Sequence, residues 1–156
     1  MPTTSHIAFI CSGNICRSPM AEALAREMLQ RLGISAEISS AGTLGIDGHP
    51  AAENAVRVLS MMAIELTTHR SQGITREYLE AASAVVVMEE EHAKTATLLD
   101  PTSASRIHRL WEHTKEPERL DEIHDPIGRG LDDFIECRDD LVECLQKWLP
   151  NLIAGS

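Results

Sequence analysis

The chain has 156 residues, a length that fits one domain of ordinary size and excludes a second large one. Hydrophobic residues make up 43% of it and charged residues 24%, a globular balance that excludes a disordered chain and a membrane span. The formal net charge of −10 repels nucleic acid and anionic membranes, so a phosphate-bearing partner must be captured by a local positive site.

The first predicted elements are a strand, a tight loop and a helix. Residues 6–10 form a short apolar run, which predicts a buried parallel strand. From Pro19 onward apolar residues recur at helical spacing, and Gly33 supplies the stop. A loop at residues 11–18 therefore joins the strand to the helix.

The rest of the chain alternates predicted strands and helices. Further strands are predicted at residues 36–40, 84–88 and 107–110, and the unbroken β-branched run makes 84–88 the clearest of them. A helix is predicted after Pro50, with Ala55, Leu59 and Met62 on one face. Further helices are predicted at residues 75–82, 89–99 and 131–149, and a polar loop at residues 115–130 precedes the last of them.

This alternation predicts an α/β fold in a single domain over residues 1–156. We expect a doubly wound, parallel four-stranded sheet in the flavodoxin-like order, with helices on both faces. Ligands of such sheets bind at the carboxyl ends of the strands, which is where the loop at residues 11–18 lies.

Cysteine usage points to the cytoplasm. Four cysteines are too few and too scattered for a disulfide scaffold, and residues 1–5 carry no basic region of a secretory leader. In a reducing compartment a cysteine signals catalysis, metal binding or burial more often than a structural bridge. Cys137 and Cys144, on one face of the last helix, are expected to be buried packing residues, and the acidic residues of that helix are expected to form its solvent-exposed face.

The loop at residues 11–18, called the Cys–Arg loop below, combines a nucleophile with an anion-binding site. Backbone N–H groups of a tight loop at a helix N-terminus bind a tetrahedral oxyanion, and Gly13 and Asn14 are best suited to left-handed dihedral angles. Arg17 can hold two phosphate oxygens, and the same positive charge favours a thiolate at Cys11. We therefore predict a phosphate site formed by Ser12, Gly13, Asn14, Ile15, Cys16, Arg17 and Ser18.

These residues predict phosphoryl transfer through a covalent intermediate. Attack of Cys11 on phosphorus gives a cysteinyl-phosphate, and Ser18 can donate a proton to the sulfur when it leaves. Because the arginine and the loop amides stabilise the equatorial oxygens, no metal and no cofactor are expected. The leaving group needs a general acid, and the residues alone leave three candidates: Asp125, Asp132 and Asp133.

The segment CSGNICRSPMAEA at residues 11–23, with HDPIG at 124–128, resembles the low-molecular-weight protein tyrosine phosphatase family, in its bacterial branch near the protein-arginine phosphatases. The resemblance implies that Cys11 is the nucleophile, Arg17 the phosphate clamp and Asp125 the general acid. It also implies that Cys16 traps an oxidised Cys11 as a reversible disulfide. Residues implied to support the loop by hydrogen bonds are Asn14, Ser40 and His69.

The resemblance leaves two substrates open. Tyrosine-specific members line the cleft with aromatic residues, whereas this chain has Leu44, Ile46 and Ile127 at those places. Arginine phosphatases of the family carry threonine where this loop has Ile15, and a branched apolar residue there is typical of tyrosine phosphatases. We therefore expect hydrolysis of phosphotyrosine in proteins, with protein-arginine phosphatase as the alternative.

Two other functions are less favoured. Arsenate reductases of this fold need two further thiols after the third strand, and residues 88–92 contain none. A phosphotyrosine-binding module without activity could dispense with Cys11 and Asp125, and both are present. The expected partner is a phosphorylated protein, such as a bacterial tyrosine kinase or another phosphoprotein, with no nucleic acid or membrane partner and a monomer or weak dimer.

Overall fold

Four parallel strands form one sheet in the computed structural model, which describes residues 5–114, 116 and 120–154. The strands are β1 (His6–Cys11), β2 (Glu37–Gly42), β3 (Ala84–Val87) and β4 (Ile107–Arg109), in the order β2-β1-β3-β4. This order confirms the predicted doubly wound α/β fold. Residues 115 and 117–119 of the predicted polar loop, and both ends of the range 1–156, lie outside the described residues.

The central strands are covered on both faces. Every residue of β3 is buried, and so is every residue of β1 after His6. Because successive side chains of a strand point to opposite faces, burial of consecutive residues requires packing on both sides of the sheet. Phe9 of β1, for example, meets Trp148 edge to face with ring centroids 6.4 Å apart.

Five α-helices of the described residues pack around the sheet, each where the sequence predicts one. They are α1 (Arg17–Arg31), α2 (Glu53–Ser60), α3 (Arg76–Ala81), α4 (Glu90–Leu99) and α5 (Leu131–Ala154). α5 packs on α1 and α2, while α4 packs on a short 3-10 helix at Pro101–Arg106. None of the helices in the described part of the chain is long and apolar enough to cross a membrane.

Several element boundaries differ from the prediction. α2 ends at Ser60, so Met62 does not share its apolar face and is 41% exposed, because the chain turns away at Ala63 with a φ of 59°. α5 continues beyond Leu149 through Pro150 to Ala154. The buried Trp148 and Leu149 hold this part of the helix on the core, which overrides the helix-breaking tendency of proline.

The acidic residues of α5 do not all face solvent, which corrects a second expectation. Asp140 is buried, and the half-buried Glu143 accepts a hydrogen bond of 2.6 Å from the Thr114 hydroxyl. A carboxylate can be buried where hydrogen bonds replace its water, and helical spacing alone does not reveal such partners. Cys137 and Cys144 are buried, as expected.

Candidate active site

The Cys–Arg loop lies at the carboxyl end of β1, between the two neighbouring strands. Cys11 is the last residue of β1 and pairs with Gly42 at the end of β2, while Arg17 is the first residue of α1. A Cβ atom on Gly42 would lie 2.6 Å from the Ser12 carbonyl oxygen and 3.0 Å from the Asn14 nitrogen. Only glycine therefore lets β2 approach the loop so closely.

The backbone of the loop offers a row of unused donors. Within the described residues, none of the N–H groups of residues 12–16 donates a hydrogen bond to a protein acceptor. Buried or partly buried backbone donors normally find partners, so consecutive free ones at a helix N-terminus indicate an anion-binding site. The phosphate-binding role of the loop stays a prediction, and these N–H groups are the donors that it requires.

Asn14 gives the loop its shape. Its φ is 59°, in the left-handed region that asparagine tolerates better than most residues. Gly13, the other residue suited to that conformation, does not have a positive φ. Of the two candidates for a left-handed conformation, the structure therefore uses Asn14.

The three residues implied to support the loop are brought together by hydrogen bonds. The buried Asn14 amide nitrogen donates to the hydroxyls of Ser18 at 2.8 Å and Ser40 at 2.9 Å. His69 Nε2 lies 2.7 Å from the Asn14 carbonyl oxygen. Sequence reasoning missed Glu22, whose carboxylate accepts from Ser40 at 2.6 Å, since an acidic residue in a helix carries no signal of such a contact.

Cys11 is buried at the base of the loop and contacts Ser18. Its Sγ lies 3.0 Å from the Ser18 hydroxyl oxygen. Because that oxygen already accepts from Asn14, the Ser18 hydrogen is available for donation to the sulfur. A donor at this position stabilises negative charge on Sγ.

Arg17 is buried, and one edge of its guanidinium is held by the protein. Nη1 donates to Glu89 Oε2 at 2.6 Å and to the Ile123 carbonyl at 2.8 Å. Nε is buried without a hydrogen-bond partner in the described residues. A buried guanidinium donor left unpaired is costly, so the free Nε indicates a site for an anionic oxygen beside the loop.

Negative groups surround Arg17. Burial lowers the pKa of its guanidinium, but the nearby charges of Cys11, Asp125 and Glu89 outweigh burial and raise the pKa above the usual value. The arginine therefore stays charged, and its positive charge lies at the centre of the site.

Asp125 is the candidate acid that the structure places beside the loop. Its Oδ2 lies 3.4 Å from Arg17 Nη2, and its Oδ1 accepts from the Ile127 backbone N–H at 3.0 Å. The other two candidates belong to the first turn of α5, where Asp132 is exposed and Asp133 lines the same cleft as Asp125. Among the described residues, Asp125 is the one of the three that forms an ion pair with the Cys–Arg loop, through Arg17.

Glu89 and His92 complete the site, and the sequence analysis assigned neither. Glu89 lies two residues after the end of β3, at the edge of the sheet where ligands of such folds bind. His92 is 2% exposed, and its Nε2 lies 3.0 Å from the Ser12 hydroxyl oxygen. Burial and Arg17 lower the pKa of His92 to about 4, against the opposing charges of Glu89 and Asp125.

Cys16 differs chemically from Cys11, although both belong to the loop. Burial first, and then Asp125 and Cys11, raise the pKa of Cys16 to about 12, while Arg17 opposes the rise. It is therefore a neutral thiol near neutral pH. Burial likewise raises the pKa of Cys137 on α5.

Aliphatic side chains stand where tyrosine-specific relatives are expected to have aromatic ones. Leu44, Ile46 and Ile127, called the aliphatic rim below, are 66%, 37% and 49% exposed. Ile15 is half-buried and, like Ile46, lies within van der Waals distance of a Cβ built on Gly13. Ile15 and Ile46 therefore lie on the same side of the loop.

A buried thiol within a loop of free amides and one arginine, at the end of a central parallel strand, defines a cysteine-dependent phosphatase. The comparisons agree: the sequence model of the family "Low molecular weight phosphotyrosine protein phosphatase" matches residues 6–155. This chain belongs to that family.

Curated relatives fall into two groups of nearly equal similarity. A probable low molecular weight protein-tyrosine-phosphatase, EpsP, from Ralstonia nicotianae is 33% identical, with 95% of this chain and 96% of the relative covered. A protein-arginine-phosphatase from Bacillus subtilis is 32% identical, with 94% and 95% covered.

Solved structures show the same division. The YwlE arginine phosphatase from Geobacillus stearothermophilus has a TM-score of 0.85 at 29% identity, covering 97% of this chain and 94% of that one. The tyrosine phosphatase Wzb from Escherichia coli K30, solved in complex with sulphate, has a TM-score of 0.86 at 28% identity, with 96% and 99% covered. Overall similarity to known proteins therefore does not decide whether the substrate is phosphotyrosine or phosphoarginine.

Proposed function

We propose that this chain hydrolyses phosphotyrosine in proteins through a cysteinyl-phosphate intermediate. The observation that carries the proposal is the unpaired donor set of the Cys–Arg loop: free N–H groups at residues 12–16 and the partnerless Nε of Arg17. Together they match the three non-bridging oxygens of a phosphate monoester, with the sulfur of Cys11 in the same loop.

In the proposed reaction Cys11 attacks phosphorus and Arg17 clamps two of the equatorial oxygens. Asp125 donates a proton to the leaving phenol oxygen, and afterwards takes one from the water that cleaves the phosphocysteine. Ser18 donates to the departing sulfur, a role that fits its contact of 3.0 Å with Sγ. Asn14, Ser40 and His69 maintain the loop, which the left-handed φ of Asn14 would otherwise strain.

Ile15 is the residue that we propose to decide the substrate. A half-buried isoleucine adds apolar contact for a phenyl ring but offers no hydrogen bond to a guanidinium. Protein-arginine phosphatase remains the second candidate because of the aliphatic rim, which provides no aromatic partner for stacking on a tyrosine ring.

Comparison of phosphotyrosyl and phosphoarginyl peptides of the same sequence tests this proposal. We expect kcat/KM to favour phosphotyrosine by at least about tenfold, the effect of roughly 1.4 kcal/mol of apolar contact. Ile15→Thr should reduce this ratio, because the substitution replaces apolar contact with a hydroxyl. Ile135→Thr, at a half-buried position of α5, is the matched control and should leave the ratio unchanged.

A preference of the unmodified enzyme for phosphoarginine would reverse the substrate assignment and leave the mechanism intact. An equal change of the ratio in both isoleucine variants would remove Ile15 as its cause. The two outcomes are distinguishable because the first concerns the wild-type ratio alone.

Cys16 is proposed to protect the nucleophile from irreversible oxidation. As a buried thiol that is neutral near pH 7, it does not compete for phosphate, yet it can form a disulfide with a sulfenic acid on Cys11 and release water. After brief exposure to hydrogen peroxide, dithiothreitol should restore most wild-type activity but clearly less activity of Cys16→Ser. Cys137→Ser serves as control, and equal recovery of all three proteins would contradict the role.

A further inference from the structure

Ser12 and His92 form a partly buried polar contact that the proposed reaction does not use. Ser12 is the second residue of the Cys–Arg loop, and His92 lies in the first turn of α4. The two residues are 80 positions apart in the chain, and the atoms His92 Nε2 and Ser12 Oγ are 3.0 Å apart. Because His92 is only 2% exposed, both of its ring nitrogens are expected to have hydrogen-bond partners within the protein.

The hydrogen bonds of His92 fix which ring nitrogen carries the proton. The Glu89 backbone N–H donates to Nδ1 at 3.1 Å, as part of a capping box at the start of α4. Nδ1 must therefore be unprotonated, and the neutral ring carries its hydrogen on Nε2. Burial and the charge of Arg17 lower the pKa of His92 and keep the ring neutral near pH 7, although the charges of Glu89 and Asp125 act in the opposite direction.

The Nε2–H group consequently donates towards the loop. Ser12 Oγ at 3.0 Å is the nearer acceptor, and Glu89 Oε2 lies at 3.4 Å. Arg17 Nη2 also approaches Ser12 Oγ, at 3.4 Å. With two N–H groups directed at one hydroxyl oxygen, both of its lone pairs are engaged and its hydrogen must point to a third group.

We propose that His92 is a positioning residue that fixes the Ser12 hydroxyl as a side-chain donor to the phosphoryl group bound in the Cys–Arg loop. The inference rests on the proposed phosphate-binding role of that loop, and it adds one directed donor to the backbone amides. A hydrogen bond from a neutral donor to an anion is stronger than one between neutral groups, so the effect should be measurable in anion binding.

Two substitutions of His92 distinguish its positioning of the Ser12 hydroxyl from its contribution to the N-terminal cap of α4. In His92→Asn the side-chain oxygen can take the place of Nδ1 and keep the cap of α4, but the chain is too short to reach Ser12. In His92→Gln the amide nitrogen can take the place of Nε2 and keep the donor to Ser12, while the cap is lost. The first variant should therefore lose anion affinity, and the second should lose stability.

The measurements are the dissociation constant of inorganic phosphate, by phosphorus NMR titration, and the melting temperature. Ser12→Ala and His92→Asn should each weaken phosphate binding about tenfold, the loss expected for one hydrogen bond to a charged group, whereas Ser12→Thr should retain it. His92→Gln should bind phosphate like the wild type and melt about 3 °C lower, as expected for a lost helix cap.

A double-mutant cycle gives the decisive result. If His92 acts through Ser12, His92→Asn should not weaken phosphate binding further in the Ser12→Ala background. Additive losses, equal losses in the Asn and Gln variants, or unchanged binding in Ser12→Ala would each overturn the inference. The phosphate affinities of these variants are measured without a substrate, so they do not depend on whether the enzyme hydrolyses phosphotyrosine or phosphoarginine.

Discussion

Replacing Cys11 with serine is expected to abolish turnover of an aryl phosphate, with a loss of at least about 10⁴-fold in kcat. Serine keeps the size of the side chain and its contact with Ser18. A serine hydroxyl, however, is a much weaker acid than a thiol and a poorer nucleophile near neutral pH. The variant therefore retains the anion site and loses the nucleophile.

Two measurements identify the cause of this loss. Inorganic phosphate should still bind Cys11→Ser, as seen by phosphorus NMR titration, because the N–H groups of residues 12–16 and the Nε of Arg17 are unchanged. Cys144→Ser, a substitution of a buried cysteine on α5, should retain turnover. Residual hydrolysis by Cys11→Ser near the wild-type rate would show that another group attacks phosphorus.

Local sequence was sufficient to predict the loop because its chemistry is contiguous. Cys11 and Arg17 flank five residues between a strand and a helix, so their approach follows from local geometry and not from long-range packing. The end of β1 and the start of α1 differ from the predicted boundaries by one and two residues. The left-handed φ of Asn14 could likewise be expected from residue type, but the choice between Gly13 and Asn14 could not.

The partners of the loop were harder to predict because they come from distant segments. Arg17 and Glu89 are 72 residues apart, and Ser12 and His92 are 80 apart. Glu89 lies in a run of three glutamates that reads as the exposed start of a helix, and its neighbour Glu90 is indeed exposed enough to pair with Arg109 at the surface. Only the register of β3 against β1 brings Glu89 to the arginine.

The buried Asp140 shows the same limit at the other end of the chain. Its position in an acidic helix predicts exposure, and only the packing of α5 against the core reverses this. Residue types and their spacing therefore predicted an anion-binding loop, but they did not predict which carboxylates are buried elsewhere in the chain. The two kinds of prediction differ because pKa and burial depend on neighbours that the topology assembles.

Replacing Asp125 with alanine is expected to slow poor leaving groups far more than good ones. For phenyl phosphate, whose leaving oxygen needs a proton, kcat should fall by about 10²- to 10³-fold. For an aryl phosphate with strongly electron-withdrawing substituents, whose phenolate leaves without protonation, the loss should stay below about tenfold. The reason is that a general acid contributes only where proton transfer helps the bond to break.

The geometry explains why this carboxyl group is suited to the role. The Ile127 backbone N–H donates a hydrogen bond to Asp125 Oδ1 at 3.0 Å. Asp125 Oδ2 therefore lies on the side of Arg17, where the phosphoryl group is proposed to bind. Asp133→Ala is the matched control, because Asp133 lines the same cleft but lies in the first turn of α5 and forms no ion pair with Arg17 in the described part of the chain. It should change the rates of both substrates by less than about threefold.

A steeper dependence of kcat on the pKa of the leaving phenol in Asp125→Ala than in the wild type is thus the expected signature. Equal losses for both substrates would mean that Asp125 acts through the shape or charge of the loop, since removal of a carboxylate 3.4 Å from Arg17 alters anion binding for every substrate alike. A steeper dependence in Asp133→Ala instead would assign the acid to α5. The leaving-group series therefore distinguishes proton donation from electrostatic support, which a single substrate cannot do.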